Sequence, residues 1–384
     1  MGAPLFTIVI PTRNRLDCVK GAIRAACAQE YPGVEILVSD NSDAAVAQSL
    51  EQFCAEPDQQ QVRYIRPEKI LAMTDHWEWA VAQAQGTYVG IVTDRMALKP
   101  HACTRLAEVV QTHTPPWVTY MWDNHGGDDI PFPLMRRGYS GQVIRLDNQM
   151  LLDQSAHSRF THALPRFLNG FCHQDLLAKW RQDLGTIFGS ISPDFNFTYR
   201  YLDRTDSTLL VDETLSISGC NAQGNGKGLE KGIQNAASKD FIKYMIGAPE
   251  IYQYAPIPNP VPFIYYNAIL VEYESYRVLT GSHKFRPYNP SSFYHGSLVR
   301  IAQCEKEGEN HDAARKVLEQ FRQAHNIDMQ PPEQPKGQPW IFPTETKFAD
   351  MDHCMAYAVE NPIAPGRVPL WVNLQLDECG VEIL

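Results

Sequence analysis

Polar residues stand shortly after three short apolar runs in the N-terminal part of this 384-residue sequence. The residues and runs are Thr12-Arg13-Asn14 after Leu5–Ile10, Asp40 after Val34–Val38, and Asp94 after Tyr88–Val92. Such runs are typical of buried strands, and open α/β sheets bind ligands beyond the carboxyl ends of their strands. Hydroxyls and carboxylates there can hydrogen-bond a polar ligand, and carboxylates can hold a hard cation. The spacing therefore predicts a ligand-binding edge.

The segments between these polar residues alternate between helix-like and strand-like patterns. The predicted helices lie at 17–28, at 44–53, after a cap at Thr74-Asp75, and from Pro100 to Val110, and further strands lie at 62–65 and 117–121. Because the strands are apolar throughout rather than alternating, they predict a mostly parallel sheet covered on both faces. The fold class is therefore α/β and doubly wound, with the strand ends at one edge.

Beyond residue 122 the pattern is less regular. Helices are predicted at 172–184 and 311–325. Residues 330–343 are interpreted as a linker before a tail that can pack back onto the core. The Gly-rich stretch 219–232 is interpreted as a flexible surface loop, with a lid over a substrate as the alternative.

Composition excludes several classes of protein. With 44% apolar and 20% charged residues the chain is an ordinary globular one, and its net charge of −10 argues against a mainly electrostatic nucleic-acid binder. The longest apolar-rich stretch, Pro262–Val271, is shorter than the roughly 18 residues that span a bilayer. The 9 cysteines form no C-x-x-C pair, so buried reduced thiols are expected.

Two common nucleotide-binding motifs are missing. The first turn, Pro11 to Arg15, contains no glycine, so its backbone cannot approach a pyrophosphate as dinucleotide-binding folds require. Gly219 and Gly224 have P-loop spacing, but the sequence 225–227 (NGK) follows in place of Lys and Ser or Thr. A nicotinamide, flavin or P-loop site is therefore not expected.

The order of the N-terminal motifs resembles that of family 2 glycosyltransferases, which have a GT-A fold. The matching segments are 6–15 (FTIVIPTRNR), 38–43 (VSDNSD), 84–89 (AQGTYV) and 98–100 (LKP). Each segment is short, but together they follow the family order over the N-terminal third of the chain. The resemblance implies a GT-A-like sheet and an inverting enzyme that uses a nucleotide-sugar donor.

The resemblance also implies roles at the predicted edge. Asp40 would accept hydrogen bonds from the uracil or ribose of a UDP-linked donor, Thr12 would line the base pocket, and Arg13 and Arg15 would contact phosphate or base. The implied donor-site residues are Pro11, Thr12, Arg13, Asn14, Asp40, Thr93 and Arg95. A turn or capping role for Asp40 and a surface role for the arginines are the alternatives.

The metal motif of the family is degenerate in this sequence. Where the family has two or three Asp that hold Mn²⁺ or Mg²⁺ against the sugar diphosphate, this chain has Thr93-Asp94-Arg95. A divalent cation can be held by one carboxylate with substrate phosphates and water, so Asp94 is the predicted metal ligand. The alternative is that Arg95 itself neutralises the leaving diphosphate and weakens the metal dependence.

An inverting transfer needs a carboxylate that removes the proton of the acceptor hydroxyl, which contributes about 10²–10⁴-fold in rate. The segment 192–195 (SPDF) resembles a Pro-Asp-aromatic motif that lies near the acceptor in a subset of the family. Asp194 is therefore the predicted general base. Asp175 and Asp203 are the alternative bases, and a helix-capping role is the structural alternative for Asp194.

One histidine and four aromatic residues have two interpretations each. His76 could face the site, although a packed or surface histidine is the simpler interpretation. A sugar-stacking platform is the functional interpretation of the aromatic residues, and a place in the core is the structural one. These residues are Trp117, Trp122, Tyr199 and Tyr201.

Together these inferences predict a glycosyltransferase that transfers a sugar to a hydroxyl of a glycan or lipid-linked acceptor, as in surface polysaccharide synthesis. Residues 1–122 would form the nucleotide-sugar-binding half, 123–235 the acceptor-side catalytic half, and 236–384 a helical and loop-rich extension. We expect a cytoplasmic location, no transmembrane segment, peripheral membrane contact as an option, and no nucleic-acid partner; the oligomeric state is open. The alternative is a catalytically impaired protein that binds nucleotide sugar or glycan, because Thr93 and Arg95 interrupt the metal motif.

Overall fold

A computed structural model describes residues 5–126, 134–219, 229, 243, 249–306, 308–330, 341–344, 348–366 and 381–384. Of the Gly-rich stretch 219–232, only Gly219 and Leu229 are included. Residues 331–340 of the predicted linker are not included either. The loop, lid and linker predictions therefore lie outside the described residues.

The described strands form one sheet. They are β1 (Phe6–Thr12), β2 (Val34–Asp40), β3 (Val62–Ile65), β4 (Tyr88–Ile91), β5 (Met96–Leu98), β6 (Trp117–His125), β7 (Met135–Arg137), β8 (Val143–Asp147), β9 (Gly170–His173), β10 (Ser207–Gly219), β11 (Ile341–Pro343) and β12 (Val381–Ile383). The main path is β12-β8-β10-β6-β9-β4-β1-β2-β3, while β5 pairs with β10, β7 with β6, and β11 with β7.

Seven of the nine strands of this path run in the same direction, and only β8 and β9 run opposite to them. β1 pairs in parallel with β2 and β4, β2 with β3, and β6 with β10, whereas β9 lies antiparallel between β4 and β6. The predicted α/β fold with a mostly parallel sheet is confirmed. The carboxyl ends of β1, β2 and β4 consequently meet at one edge of the sheet, because these strands are parallel and adjacent.

Helices cover both faces of the sheet. They are α1 (Leu16–Cys27), α2 (Ala44–Cys54), α3 (Met73–Ala82), α4 (Ala102–His113), α5 (Asn148–Ala156), α6 (Gln174–Leu184), α7 (Pro193–Arg204), α8 (Pro249–Tyr252), α9 (Tyr265–Thr280), α10 (Pro290–Lys306), α11 (Asp312–Ala324) and α12 (Met351–Glu360). On β1, Val9 packs in one apolar cluster with Trp77 of α3, and Ile8 packs in a second cluster with Val19 of α1. Alternate residues of a strand point to opposite faces, so each buried strand contributes to both clusters.

Two local predictions differ from the structure. The N-cap of α3 is Ala72 and makes no side-chain hydrogen bond, while the Thr74 hydroxyl donates to the carbonyl of Ser190 at 2.9 Å. Thr74 was predicted as a cap, but a tertiary contact uses its hydroxyl. The helix predicted at 172–184 begins at Gln174, because the preceding residues form β9.

The described part of the C-terminal tail packs back onto the core, as predicted. Asp352 of α12 forms an ion pair with Arg24 of α1. The guanidinium of Arg136 donates to the carbonyls of Ala358 and Asn361 at the other end of α12. β12 adds to the sheet beside β8. Among the residues the structure describes, no helix combines the length and hydropathy needed to cross a membrane.

Candidate active site

A cavity of about 690 Å³ opens at the carboxyl edge of β1 and β4. The predicted site residues that line it are Pro11, Thr12, Arg13, Thr93, Asp94, Arg95 and Asp194, and Arg15 and His76 line it too. Asn14 and Asp40 belong to the same edge but do not line the cavity. The wall is completed by Phe263, Tyr265 and Ile269, which come from the chain beyond residue 235.

Asp94 connects the ends of β1 and β4. The Thr12 hydroxyl donates to Asp94 Oδ2 at 3.0 Å, and Arg15 Nη1 lies 3.4 Å from both carboxylate oxygens. Arg95 Nε lies 4.0 Å from Asp94 Oδ1. The Asp94 side chain is 2% exposed, so its charge is neutralised mainly by guanidinium groups and not by water.

Asp40 is fully buried beside Thr12, its register partner on β1. Its Oδ1 accepts the backbone N–H of Ser42 at 2.8 Å, and its Oδ2 accepts the Tyr64 hydroxyl at 2.8 Å. This arrangement fixes the turn after β2. Burial is the main cause of a raised pKa of Tyr64, and the hydrogen bond to Asp40 raises it further. The hydroxyl therefore stays protonated and acts as a donor.

Asn14 ties the loop after β1 to the loop after β2. Its backbone adopts a φ of 54°, a left-handed conformation that Asn tolerates better than most residues. Its side chain donates to Asp43 at 3.0 Å and accepts the Asp43 backbone N–H at 2.9 Å. Its backbone N–H donates to the Ser42 hydroxyl at 2.8 Å. The pair holds the two loops in fixed relation to Thr12 and Asp40.

His76 lines the cavity from α3 and is 4% exposed. Burial lowers the pKa of His76 to about 4, with Arg13 acting in the same direction and Asp40 opposing it. The imidazole is therefore neutral at physiological pH. Its Nε2 lies 2.8 Å from the Ser39 hydroxyl at the end of β2, so the ring is held between the sheet edge and the cavity.

Asp194 enters the cavity from the first turn of α7, just after Pro193 at the helix start. The helix is fixed by rings that face the core, among them Phe197, Tyr199 and Tyr201, all fully buried. Burial of each such ring contributes roughly 1.5–3 kcal/mol. Burial raises the pKa of Asp194, whereas the positive charge of Arg166 and backbone N–H groups at the helix start lower it.

Arg166 is a cavity residue that the sequence reasoning missed. Its guanidinium lies 4.8 Å from the centre of the Trp122 ring and 5.3 Å from that of Phe195. The Trp122 ring is stacked on His162 with a centroid distance of 3.7 Å. This stack holds a cation next to the predicted base. No motif marks Arg166 in the sequence.

Two carboxylates that the sequence analysis did not single out hold the loop before α7. Glu272 Oε1 on α9 accepts the backbone N–H groups of Ile191 at 3.1 Å and Ser192 at 2.7 Å, and its Oε2 accepts Asn196 Nδ2 at 3.2 Å. Glu78 Oε2 on α3 accepts the N–H groups of Ile187 and Phe188. The loop that precedes Asp194 is thus anchored to two helices.

The remaining predicted alternatives lie elsewhere. Asp175 has a side chain that is 93% exposed at the start of α6, and Asp203 on α7 accepts the hydroxyls of Tyr276 and Ser282; neither lines the cavity. Three of the four aromatic residues proposed for a platform, Trp117, Tyr199 and Tyr201, are fully buried in the core.

The described residues at this edge do not form the donor set expected for a metal between paired carboxylates. Both oxygens of Asp40 accept hydrogen bonds from the protein, and both oxygens of Asp94 lie beside Arg15. A divalent cation at Asp94 would have to share this carboxylate with the guanidinium of Arg15, which is also positively charged.

Comparisons with known proteins agree with the motifs of the N-terminal part. Residues 7–167 match the model of glycosyl transferase family 2. The resemblance predicted from the sequence is thereby confirmed over these residues, and with it the prediction of a glycosyltransferase. A search of the curated proteins finds no match for the chain.

Among solved structures, the chain is similar to TarS of S. aureus. The structure of TarS 1–349 in complex with UDP-GlcNAc is 14% identical, with 89% of this chain and 97% of that chain covered and a TM-score of 0.47. The complex with UDP has the same identity and coverage and a TM-score of 0.46. A further TarS structure is 13% identical over 63% of this chain with a TM-score of 0.43, and the chain spans only 42% of its length.

Proposed function

We propose that this protein is an inverting glycosyltransferase that transfers a sugar from a UDP-linked donor to a hydroxyl of a glycan or lipid-linked acceptor in surface polysaccharide synthesis. The observation that carries the proposal is that the Thr12–Asp94–Arg15 cluster and Asp194 line one cavity. The family 2 match over residues 7–167 supports the same reaction class. We place the reaction in the cytoplasm, where free cysteines such as the buried Cys54, Cys103 and Cys172 are usual.

The donor would bind at the edge of β1 and β4. Arg13, Arg15 and Arg95 line this part of the cavity and would neutralise the diphosphate as negative charge develops on the leaving group. Asp40 and Asn14 do not line the cavity, so we assign them the role of shaping the base pocket through the turns that they hold. Because these guanidinium groups are already in place, little reorganisation is needed to stabilise the charge of the leaving diphosphate.

The acceptor would bind on the side of the cavity formed by α7 and the chain from Phe263 to Ile269. Asp194 would remove the proton of the acceptor hydroxyl while its oxygen forms the new bond to the anomeric carbon and the nucleoside diphosphate leaves from the opposite face. A raised pKa makes Asp194 a stronger base, and the burial that raises it also excludes water from the reaction. No covalent intermediate is required.

In this proposal, residues 1–122 form the donor half and 123–235 the acceptor half. The extension 236–384 would contribute to the acceptor side, because Phe263, Tyr265 and Ile269 are part of the cavity wall.

Replacement of Asp194 tests the proposal. We expect Asp194→Asn to retain UDP binding, seen as an unchanged UDP-induced rise in Tm, and to lose about 10²–10⁴-fold in sugar transfer. Asp175→Asn is the matched control, because this exposed carboxylate lies outside the cavity. Unchanged turnover of Asp194→Asn would place the base elsewhere. Tight UDP-sugar binding by the unaltered protein without any release of UDP would favour the alternative, a binding protein without turnover.

A further inference from the structure

A cluster of three potential metal ligands lies in the connection between α10 and α11. Cys304 is near the end of α10, Glu309 is in the turn, and His311 is the residue before α11. One ligand atom from each residue lies within 4.8 Å of the other two, and His311 Nε2 is 3.0 Å from Glu309 Oε2. We propose that these residues bind a zinc ion, a site separate from the candidate active site and independent of the proposed reaction.

The donor set is suited to zinc. Zn²⁺ takes thiolate at about 2.3 Å and imidazole nitrogen or carboxylate oxygen at about 2.0–2.2 Å, in tetrahedral geometry. Ligand atoms in such a site are roughly 3–4 Å apart, so the observed cluster needs a movement of only about 1 Å to close. Three protein ligands leave a fourth position for water. A mixed sulfur, nitrogen and oxygen set disfavours Mg²⁺ and Ca²⁺, which prefer oxygen ligands.

The charges around the cluster are compatible with a dication. A Cys304 thiolate and a Glu309 carboxylate together balance the two positive charges of zinc, so the loaded site is neutral. Cys304 is 1% and His311 8% exposed, and burial favours a neutral site. The nearby cation Arg315 is held by Glu305 through two hydrogen bonds of 2.7 and 2.5 Å. Arg300, on α10, places its guanidinium over the Tyr265 ring.

The proposed zinc site lies behind the wall of the main cavity. Cys304 and His311 line a small cavity together with Phe263 and Tyr265, and the latter two residues also line the candidate active site. A zinc ion would join the ends of α10 and α11 and so limit movement of this wall. Its role in the proposal is structural.

Zinc titration of the full-length protein, first treated with a chelator and dialysed, tests the inference. We expect calorimetry to show one equivalent of bound Zn²⁺, and zinc at 100 times its Kd to raise the folded-to-unfolded ratio about 100-fold. Co²⁺ in place of zinc should give the absorption of a thiolate-bound, tetrahedral ion. Cys304→Ser and His311→Gln should each abolish the thermal shift or weaken binding by at least about 10-fold.

His325→Gln is the matched control, since His325 is an exposed histidine at the opposite end of α11. It should bind zinc as the unaltered protein does. If a Cys304 or His311 variant fails to fold, Glu309→Gln at the partly exposed turn provides the same comparison. Absence of a one-to-one complex, or binding that survives all the ligand replacements, would overturn the proposal.

Discussion

At the scale of single residues, the candidate active site depends on how the protein sets the charge of Asp194. Burial raises the pKa of this carboxyl, and Arg166 acts in the opposite direction. The guanidinium of Arg166 contacts the rings of Trp122 and Phe195, and these two contacts orient it. The net effect is a raised pKa, which makes Asp194 a stronger base than an ordinary Asp.

Replacing Arg166 should shift the pH dependence of the reaction. In Arg166→Gln the positive charge is lost, so the pKa of Asp194 rises further and the acidic limb of kcat against pH moves to higher pH. The measurement is kcat and KM between about pH 4.5 and 8, where the limb reports the general base. Arg145→Gln on β8, an exposed arginine paired with Glu382, is the control. If the acidic limb of kcat against pH does not move in Arg166→Gln, Arg166 does not lower the pKa of the general base.

At the scale of elements, the loop between α6 and α7 determines where Asp194 stands. Its backbone N–H groups donate to Glu78 from α3 and to Glu272 from α9. Glu272 is fully buried, and burial raises its pKa to about 7 against the hydrogen bonds that it accepts. The protein therefore keeps a carboxyl near its titration point to hold the turn before the proposed base.

Glu272→Ala should lower kcat while leaving the KM for the donor nearly unchanged. Loss of the Glu272 carboxylate leaves the N–H groups of Ile191 and Ser192 without this hydrogen-bond acceptor. A displacement of Asp194 by about 1 Å can reduce the rate by about 10²-fold. Glu272→Gln is the matched variant, because an amide oxygen can still accept both N–H groups as the protonated acid does. We expect it to retain most of the activity. Equal losses in both variants would exclude a positioning role.

Comparison of Glu272→Gln with the unaltered protein also tests how Glu272 affects the free energy of unfolding. Between pH 4.5 and about 7 the folded protein keeps a proton on Glu272 that the unfolded chain releases. The contribution of Glu272 to the free energy of unfolding therefore decreases as pH rises through this window and is constant above it. Glu272→Gln should show a smaller decrease over the same range in denaturant titrations, whereas a curve parallel to that of the unaltered protein would contradict the raised pKa.

At the scale of the whole molecule, the sequence predicted the placement that strand order implies and missed the contacts that no motif marks. Thr12 and Asp94 could be placed at one edge because Thr12 ends β1 and Asp94 follows β4 in the same parallel sheet, and the structure joins them by a hydrogen bond. β9 was missed because its sequence (GFCH) contains no β-branched residue and its pairing partners, β4 and β6, are distant in the chain. Glu272 lies 80 residues from Ser192, and no local signal connects them.

The distribution of charge leads to a last prediction. The chain carries a net charge of −10, yet three arginines line the donor side of the cavity around Asp94. If these guanidinium groups neutralise the diphosphate, UDP should raise the Tm nearly equally with EDTA and with Mn²⁺, and more than other nucleoside diphosphates do. Arg15→Gln should reduce the shift, because Asp94 then repels the phosphates, while Arg145→Gln should not. A shift that appears only with Mn²⁺ and disappears in Asp94→Ala would instead establish Asp94 as a metal ligand.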